Sequence, residues 1–357
     1  PHPTPNQPPD ATSRWKHLDL IRDLLDGANM RSSPPRQLRL WPYSFDVIPV
    51  ELISSIYEMF AHSNDPLAAE AGSVHYTRLG LVELVLGLSM QGMKHTSRVL
   101  DPSCGSGVFL VEASRRLVWL REREMGRRLD RYELREMLCS QIYGIDIDRD
   151  AVQVAAFSLY LTLLELDPDP QPPDALRFPP LVTPERASES VLNLTTQDFF
   201  NTAHPFDSRP PFVDRGFDLV VGNAPWTALN DRTAPRDPDD SEHGRQWGLE
   251  YCRRKTVPDC KPDQGFLLRV RDFVNPTTMI GMVIGSRLFY QESDKGHRWL
   301  RTFLHENTVS SVVNLSDLVS EDMLFSGESS TRLPASVLLF SVSHPSDDNV
   351  VLYVTPK

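Results

Sequence analysis

Val99-Leu100-Asp101-Pro102-Ser103-Cys104-Gly105-Ser106-Gly107 is the stretch that decides the fold. Two apolar residues run into an acidic turn with glycines at 105 and 107, and helical spacing begins at Val108. A strand entering a Gly-rich turn and then a helix is the first half of a βαβ unit. Glycine lets the backbone turn sharply and come close to a ligand at the carboxyl end of the strand, where open α/β sheets bind their cofactors.

The alternation continues outward. Ile142 to Ile147 reads as a second strand with its helix over Asp150 to Leu164, followed by Val191 to Thr195, Phe217 to Val221, a helix from Gly265 to Phe273, and Met279 to Ile284. Such alternation predicts right-handed crossovers and a parallel sheet. Val309 to Leu315 and Ser336 to Phe340 have no long helix between them and read as a terminal antiparallel pair, for seven strands in all. Val350 to Val354 is a further strand or a link onward. Upstream, Trp15 to Leu25 has helical spacing, and Pro49 opens a second helix with Ile53, Ile56, Tyr57 and Phe60 on one stripe. Thr77 reads as the N-cap of a third helix, which buries Leu81, Val82, Val85 and Leu86. Residues 1–13 read as a flexible tail, and Asp167 to Ser188 and Asn230 to Pro258 as loops. Lys261-Pro262-Asp263 begins a helix.

Composition narrows the function. The chain has 357 residues, 40% of them hydrophobic, with 37 Lys and Arg against 48 Asp and Glu, a net charge of −11. That length and apolar content support a full core. The acidic balance argues against coating nucleic acid by bulk electrostatics and leaves room for a local basic groove. The longest apolar run, Met279 to Ile284, is far below the ~20 residues of a membrane-spanning helix, and the start lacks a signal pattern, so a cytoplasmic protein is expected. Four cysteines without a CxxC pair give no support to a disulfide framework or a zinc site, and no metal is expected.

The acidic end of strand two, Asp146, is placed to accept from both hydroxyls of a ribose, while Asp148 caps the next helix. Neither G-x-G-x-x-G nor G-K-[ST] is present, so the ligand has a ribose without a pyrophosphate on the turn. S-adenosyl-L-methionine (SAM) meets that description. On its own Asp198-Phe199-Phe200 is a capped turn over core aromatics. Its place after strand three makes it a candidate adenine-edge pair.

Strand four ends in Gly222-Asn223-Ala224-Pro225-Trp226, and here the sequence resembles the amino-methylating DNA methyltransferases, whose signature is [DNS]-P-P-[YFW]. The resemblance runs over residues 40 to 342. It is to the gamma arrangement of the adenine-N6 enzymes found in restriction–modification and phage-defence systems. It implies a Rossmann-like α/β methyltransferase fold with a seven-stranded, mostly parallel sheet, a terminal antiparallel strand and N-terminal helices. It implies a helical region over 14–96, a catalytic domain over 97–342, and a link or extra strand over 343–357. Val74-His75-Tyr76-Thr77 resembles the G-x-x-Y-T cofactor element. Asp101, Pro102, Cys104, Gly105 and Gly107 resemble its D-P-x-C-G-x-G loop. Asp146, Ile147, Asp198 and Phe199 match the remaining cofactor positions.

In that family's chemistry, acceptors on both N–H bonds of adenine N6 aim its nitrogen at the sulfonium methyl. Asn223 supplies a side-chain carbonyl, residue 224 a main-chain carbonyl, and Trp226 stacks on a base extruded from the duplex. Ala224 departs from the usual Pro. Phe325 is a second candidate for stacking on that base, and Arg253-Arg254-Lys255 for gripping phosphates. The expected partners are double-stranded DNA and a specificity or defence-system subunit, because little chain follows the last catalytic strand. Methylation of cytosine N4, RNA or protein glutamine, and a non-catalytic SAM-binding or DNA-sensing subunit, are the competing readings. Cytosine C5 chemistry is disfavoured by the lack of a Pro-Cys dipeptide.

Overall fold

The alternating apolar runs build one sheet with helices on both faces. The computed structural model describes residues 53, 57, 76–169, 177–182, 193–202, 208, 210–231, 234, 245–321, 325–326 and 334–356, all within one unit, Val50–Lys357. The expected tail and the helix over Trp15 to Leu25 lie outside these residues. Of the helix opened by Pro49, Ile53 and Tyr57 are described, and both are helical.

From Tyr76 the described residues form a short strand β1 (Tyr76–Thr77) and helix α1 (Leu79–Ser89), then β2 (Val99–Asp101), α2 (Val108–Met125), α3 (Arg131–Gln141), β3 (Ile142–Asp146) and α4 (Arg149–Leu166). It continues with β4 (Leu194–Thr196), β5 (Phe217–Asn223), α5 (Trp247–Arg254), α6 (Pro262–Arg269), β6 (Val274–Gly285), α7 (Asp294–Glu306) and β7 (Thr308–Asn314). Strands β8 (Phe325–Ser326), β9 (Ala335–Ser341) and β10 (Leu352–Val354) complete it. The main sheet has the order β10-β7-β9-β6-β5-β2-β3-β4. Strand β9 runs antiparallel to both of its neighbours and the other pairs are parallel. The seven expected strands are present, and Leu352–Val354 joins as an eighth at the edge beside β7.

Period-two alternation sends successive side chains to opposite faces. Val99, Leu219 and Val221 pack with α1, α2 and α4, whereas Leu100, Val220 and Ile280 pack with α6 and α7. The layers are therefore helix, sheet, helix, and among the described residues no helix is long and apolar enough to cross a membrane.

Several sequence expectations shift. The segment Asn230 to Pro258 is not all loop, because Trp247–Arg254 is helical. Its Gly248, Leu249, Tyr251 and Cys252 are buried while Glu250, Arg253 and Arg254 share the outer side, so a high charge density hides an amphipathic turn. Helix α6 starts at Pro262, whose missing N–H is harmless at a first helical position, and passes into a 3-10 turn over Val270–Asp272. The N-cap of α1 is Arg78 rather than Thr77. The Thr77 hydroxyl is engaged elsewhere, as described next.

Candidate active site

Three turns meet at the carboxyl ends of β2, β3 and β5. The first is the glycine turn. Gly105 and Gly107 have φ of 50° and 90°, the left-handed region in which a side chain is strained. A Cβ on Gly107 would lie 2.9 Å from the Ala155 Cβ, so α4 packs directly on the turn. The Gly105 amide donates to Asp146 Oδ2 (2.8 Å) and the Cys104 amide to the Ile145 carbonyl (2.9 Å), tying the turn to the end of β3.

Asp146 Oδ1 accepts from the Asp148 amide at 2.9 Å. Asp148 caps α4, accepting from the Asp150 amide at 2.8 Å, and also takes the Tyr57 hydroxyl at 3.0 Å. Burial pushes the Asp146 carboxyl up to about 6, against the pull of the two amides that stabilise its charge. Ile147 is half-buried beside it.

Asp101, at the end of β2, is 1% exposed and accepts from the Ser103 amide at 3.1 Å. Burial holds its carboxyl well above the usual range, and the charge of Asp146 adds to the effect. Strand β5 passes so close that a Cβ on Gly222 would sit 2.5 Å from Asp101 Oδ1. One residue further, Asn223 is held from two sides. Ser103 Oγ donates to its backbone carbonyl (3.3 Å), and its Nδ2 donates to Thr77 Oγ1 (3.1 Å). Its Oδ1 is buried without a hydrogen-bond partner among the described residues. Thr77 is in turn fixed by antiparallel pairing with Phe325, whose backbone is thereby brought to the site.

After Asn223 the chain leaves the sheet. Ala224 is buried against the α6 side, Pro225 is half-buried, and Trp226 is 3% exposed. Trp226 lines a small cleft together with Lys261, Asp263, Gln264 and Arg287. Lys261 Nζ donates to the Trp226 carbonyl at 3.2 Å. Asp263 accepts from the Gly285 amide (3.1 Å) and the Gln264 amide (2.9 Å), and burial pushes it up to about 6. Gln264 Oε1 is buried with no partner among the described residues. Lys261 and Asp263 were legible in sequence only as a helix start, and Gln264 not at all. A polar trio on the first turn of a helix that follows the tetrapeptide is the signal that marks them.

The remaining candidates are placed differently. Asp198 accepts from the Phe200 amide at 2.9 Å, which caps the turn. The Phe199 ring is 2% exposed and stacks on Phe266 at 5.0 Å, so its face is given to the aromatic core, the alternative the residues themselves had offered. Arg253, Arg254 and Lys255 are exposed on the last turn of α5 rather than in a loop, and Arg253 pairs with Asp231 at 3.1 Å.

Residues 140–319, half of the chain, match the family model described as Eco57I restriction-modification methylase, and residues 86–163 match an RMKL-like methyltransferase domain. The chain belongs to the Eco57I restriction-modification methylase family. The resemblance read from the glycine turn and the tetrapeptide is borne out. The type II restriction enzyme and methyltransferase RM.Eco57I of Escherichia coli is 26% identical over 339 residues, which cover 81% of this chain and 32% of that protein. This Eco57I-family chain therefore spans about a third of that relative. Among solved structures, a DrdV–DNA complex aligns with a TM-score of 0.58 at 13% identity, covering 88% of this chain and 31% of that one. The ATP-dependent type ISP restriction-modification enzyme LlaBIII, bound to DNA, aligns at 0.56 and 13%, covering 99% and 24%. At these identities the two share its fold.

Proposed function

We propose that this Eco57I-family domain transfers a methyl group from SAM to N6 of an adenine extruded from double-stranded DNA, in a restriction–modification or related defence system. The observation that carries the reading is the Asn223 carboxamide. Its nitrogen is held by Thr77 while its oxygen lies buried with no partner among the described residues, an arrangement that costs about 1–3 kcal/mol unless a ligand N–H completes it. An exocyclic amine is such a donor.

The donor set around the glycine turn suits SAM. Asp101, Asp146 and Asp198 offer carboxylates to a cationic, ribose-bearing ligand, and no Lys or Arg stands on the turn to bind a pyrophosphate. SAM, when bound, supplies an electrophilic methyl on a sulfonium. In this assignment Tyr76, Thr77 and the Asp101–Gly107 turn hold its amino-acid part, Asp146 and Ile147 its ribose and ring, and Asp198 the far edge of the ring, with Phe199 behind it in the aromatic core. Asn223 Oδ1 accepts one N6–H of the adenine and the Ala224 carbonyl accepts the other. That leaves the nitrogen lone pair directed at the donor. The acceptor at 224 is main-chain, and a residue preceding Pro225 is already biased toward extended backbone, so Ala keeps the geometry. Trp226, which lines the cleft, is the platform for the extruded base, and Phe325 is the second candidate from the sequence. DNA is the proposed partner, and a specificity subunit or domain the proposed source of site recognition.

The test incubates the chain and its Asn223→Ala variant with labelled SAM and unmethylated DNA, then digests to nucleosides for mass spectrometry. N6-methyladenine from the parent alone is the expected result. Methyl groups on cytosine N4 or RNA would redirect the substrate, and SAM binding without transfer would favour a non-catalytic sensing subunit.

A further inference from the structure

Several arginines on and between α2 and α3 are matched by carboxylates: Arg115 pairs with Glu165, Arg127 with Glu133, and Arg131 with Asp167. Around the cleft the balance differs. Residues 245–301 carry eleven Lys and Arg against six Asp and Glu, in a chain of net charge −11. One of those carboxylates, Asp263, is buried, and two more, Glu250 and Asp272, are taken by Arg245 and Arg269. Arg254, Lys255, Arg287, Lys295 and Arg298 are all exposed, and none forms an ion pair among the described residues.

Arg254, Lys255, Lys295 and Arg298 come together where the end of α5 meets the start of α7, and Arg287 stands in the cleft. Arg287 lines the cleft beside Trp226. Lys295, in the first turn of α7, reaches back to the Val257 carbonyl at 3.4 Å, two residues beyond Lys255. Arg254 and Lys255 lie over the Tyr251 ring at 5.4 and 5.9 Å, and Arg298 follows Lys295 one turn along α7. The exposed carboxylates that interleave with them, Asp259, Glu292 and Asp294, are fewer than the cations.

Like charges in excess among the described residues repel one another, so such an arc is favoured by a polyanion that neutralises it. In an acidic protein it also turns the approach of DNA toward one face. We propose that this arc, running from Arg287 across Lys295 and Arg298 to the end of α5, grips the phosphates of the DNA strand whose base is presented to Trp226. The identity of that base rests on the methylation reading; the phosphate contact does not.

The experiment measures binding of the full chain to a labelled duplex by fluorescence anisotropy between 50 and 200 mM salt. The arc variant carries Lys295→Gln and Arg298→Gln. A control with the same charge change carries Lys94→Gln and Arg123→Gln, which are exposed beyond the far ends of α1 and near the end of α2; Arg123 is ~25 Å along the helix from Gly107. Each phosphate contact contributes a slope of about −0.9 in log affinity against log salt. The arc variant is therefore expected to be shallower by about 2, so that its deficit against the parent narrows about twelvefold across this range. The control keeps the parental slope. An arc variant with the parental slope, a control that flattens as much, or parental binding that is insensitive to salt overturns the proposal. Methylation by the parent is scored separately. A flattened slope without any N6-methyladenine leaves the arc standing and removes the methylation reading, and methylation with an unchanged slope does the reverse.

Discussion

Replacing Gly107 by Ala tests how the cofactor turn is built. The residue has φ of 90° and caps α2, and its missing Cβ would stand 2.9 Å from the Ala155 Cβ and 3.1 Å from the Ala155 Cα. A non-glycine residue in left-handed backbone costs about 1–2 kcal/mol. Forcing a methyl against the wholly buried Ala155 of α4 adds about 1–3 kcal/mol, so the variant should lose ~2–5 kcal/mol, a large part of the ~5–15 kcal/mol that holds a typical domain together. The two contributions separate in a double-mutant cycle. Ala155→Gly alone costs about 1 kcal/mol of helix propensity. It also removes the nearest clashing atom while leaving the left-handed backbone as it was. The pair should then be more stable than the summed single effects by about 1–2 kcal/mol. Urea denaturation of the four proteins measures this. An unchanged midpoint for Gly107→Ala, or single effects that add to within about 0.3 kcal/mol, would refute the close packing of α4 on the turn.

Three other outcomes follow from the site. Thr77→Val removes the acceptor that holds Asn223 Nδ2 while keeping the shape of the side chain; kcat should fall between about twofold and tenfold, as expected for a net hydrogen bond of ~0.5–1.5 kcal/mol, and an unchanged kcat would mean that Asn223 orients itself. Gln264→Leu should raise the stability of the free protein by about 1–3 kcal/mol, because the buried Oε1 has no partner among the described residues, and lower methylation; a less stable variant would contradict that assignment. Asp263 is raised to about 6 by burial, so its charged form is disfavoured in the folded state. The stability it contributes is full below pH ~4 and is lost as pH rises through 6, by up to about 3 kcal/mol. Asp263→Asn should accordingly gain on the parent from pH 4 to pH 6 in chemical denaturation, and a constant difference would count against the shift.

The strand alternation and the glycine turn were legible because each is a local signal: apolar runs of strand length, and a backbone conformation that only glycine adopts freely. The helix cap at Asp148 was legible for the same reason. What escaped depends on contacts between distant segments. Thr77 looks like a helix cap until Asn223, 146 residues later, takes its hydroxyl. Trp247–Arg254 looks like a charged loop until Gly248 is seen to approach the Phe200 ring, a contact that local spacing does not encode. Phe199 carries the right position for a cofactor aromatic, yet whether its face is open depends on Phe266, in a different crossover. Lys261, Asp263 and Gln264 form no recognisable spacing of their own and gain meaning only by lining the same cleft as Trp226.

A carboxylate packed 2.5 Å from where a Cβ would stand also ties together the histories of two positions. As long as the Asp101 carboxylate keeps its place, any side chain at 222 collides with it. As long as Gly222 remains, position 101 is free to keep its acid. Substitution is therefore ordered: enlarging 222 costs least after 101 has shrunk, and the reverse order forces the Asp101 carboxylate out of its place. Descendants of this chain should carry the two positions as a linked pair, one inherited choice made at two sites more than a hundred residues apart.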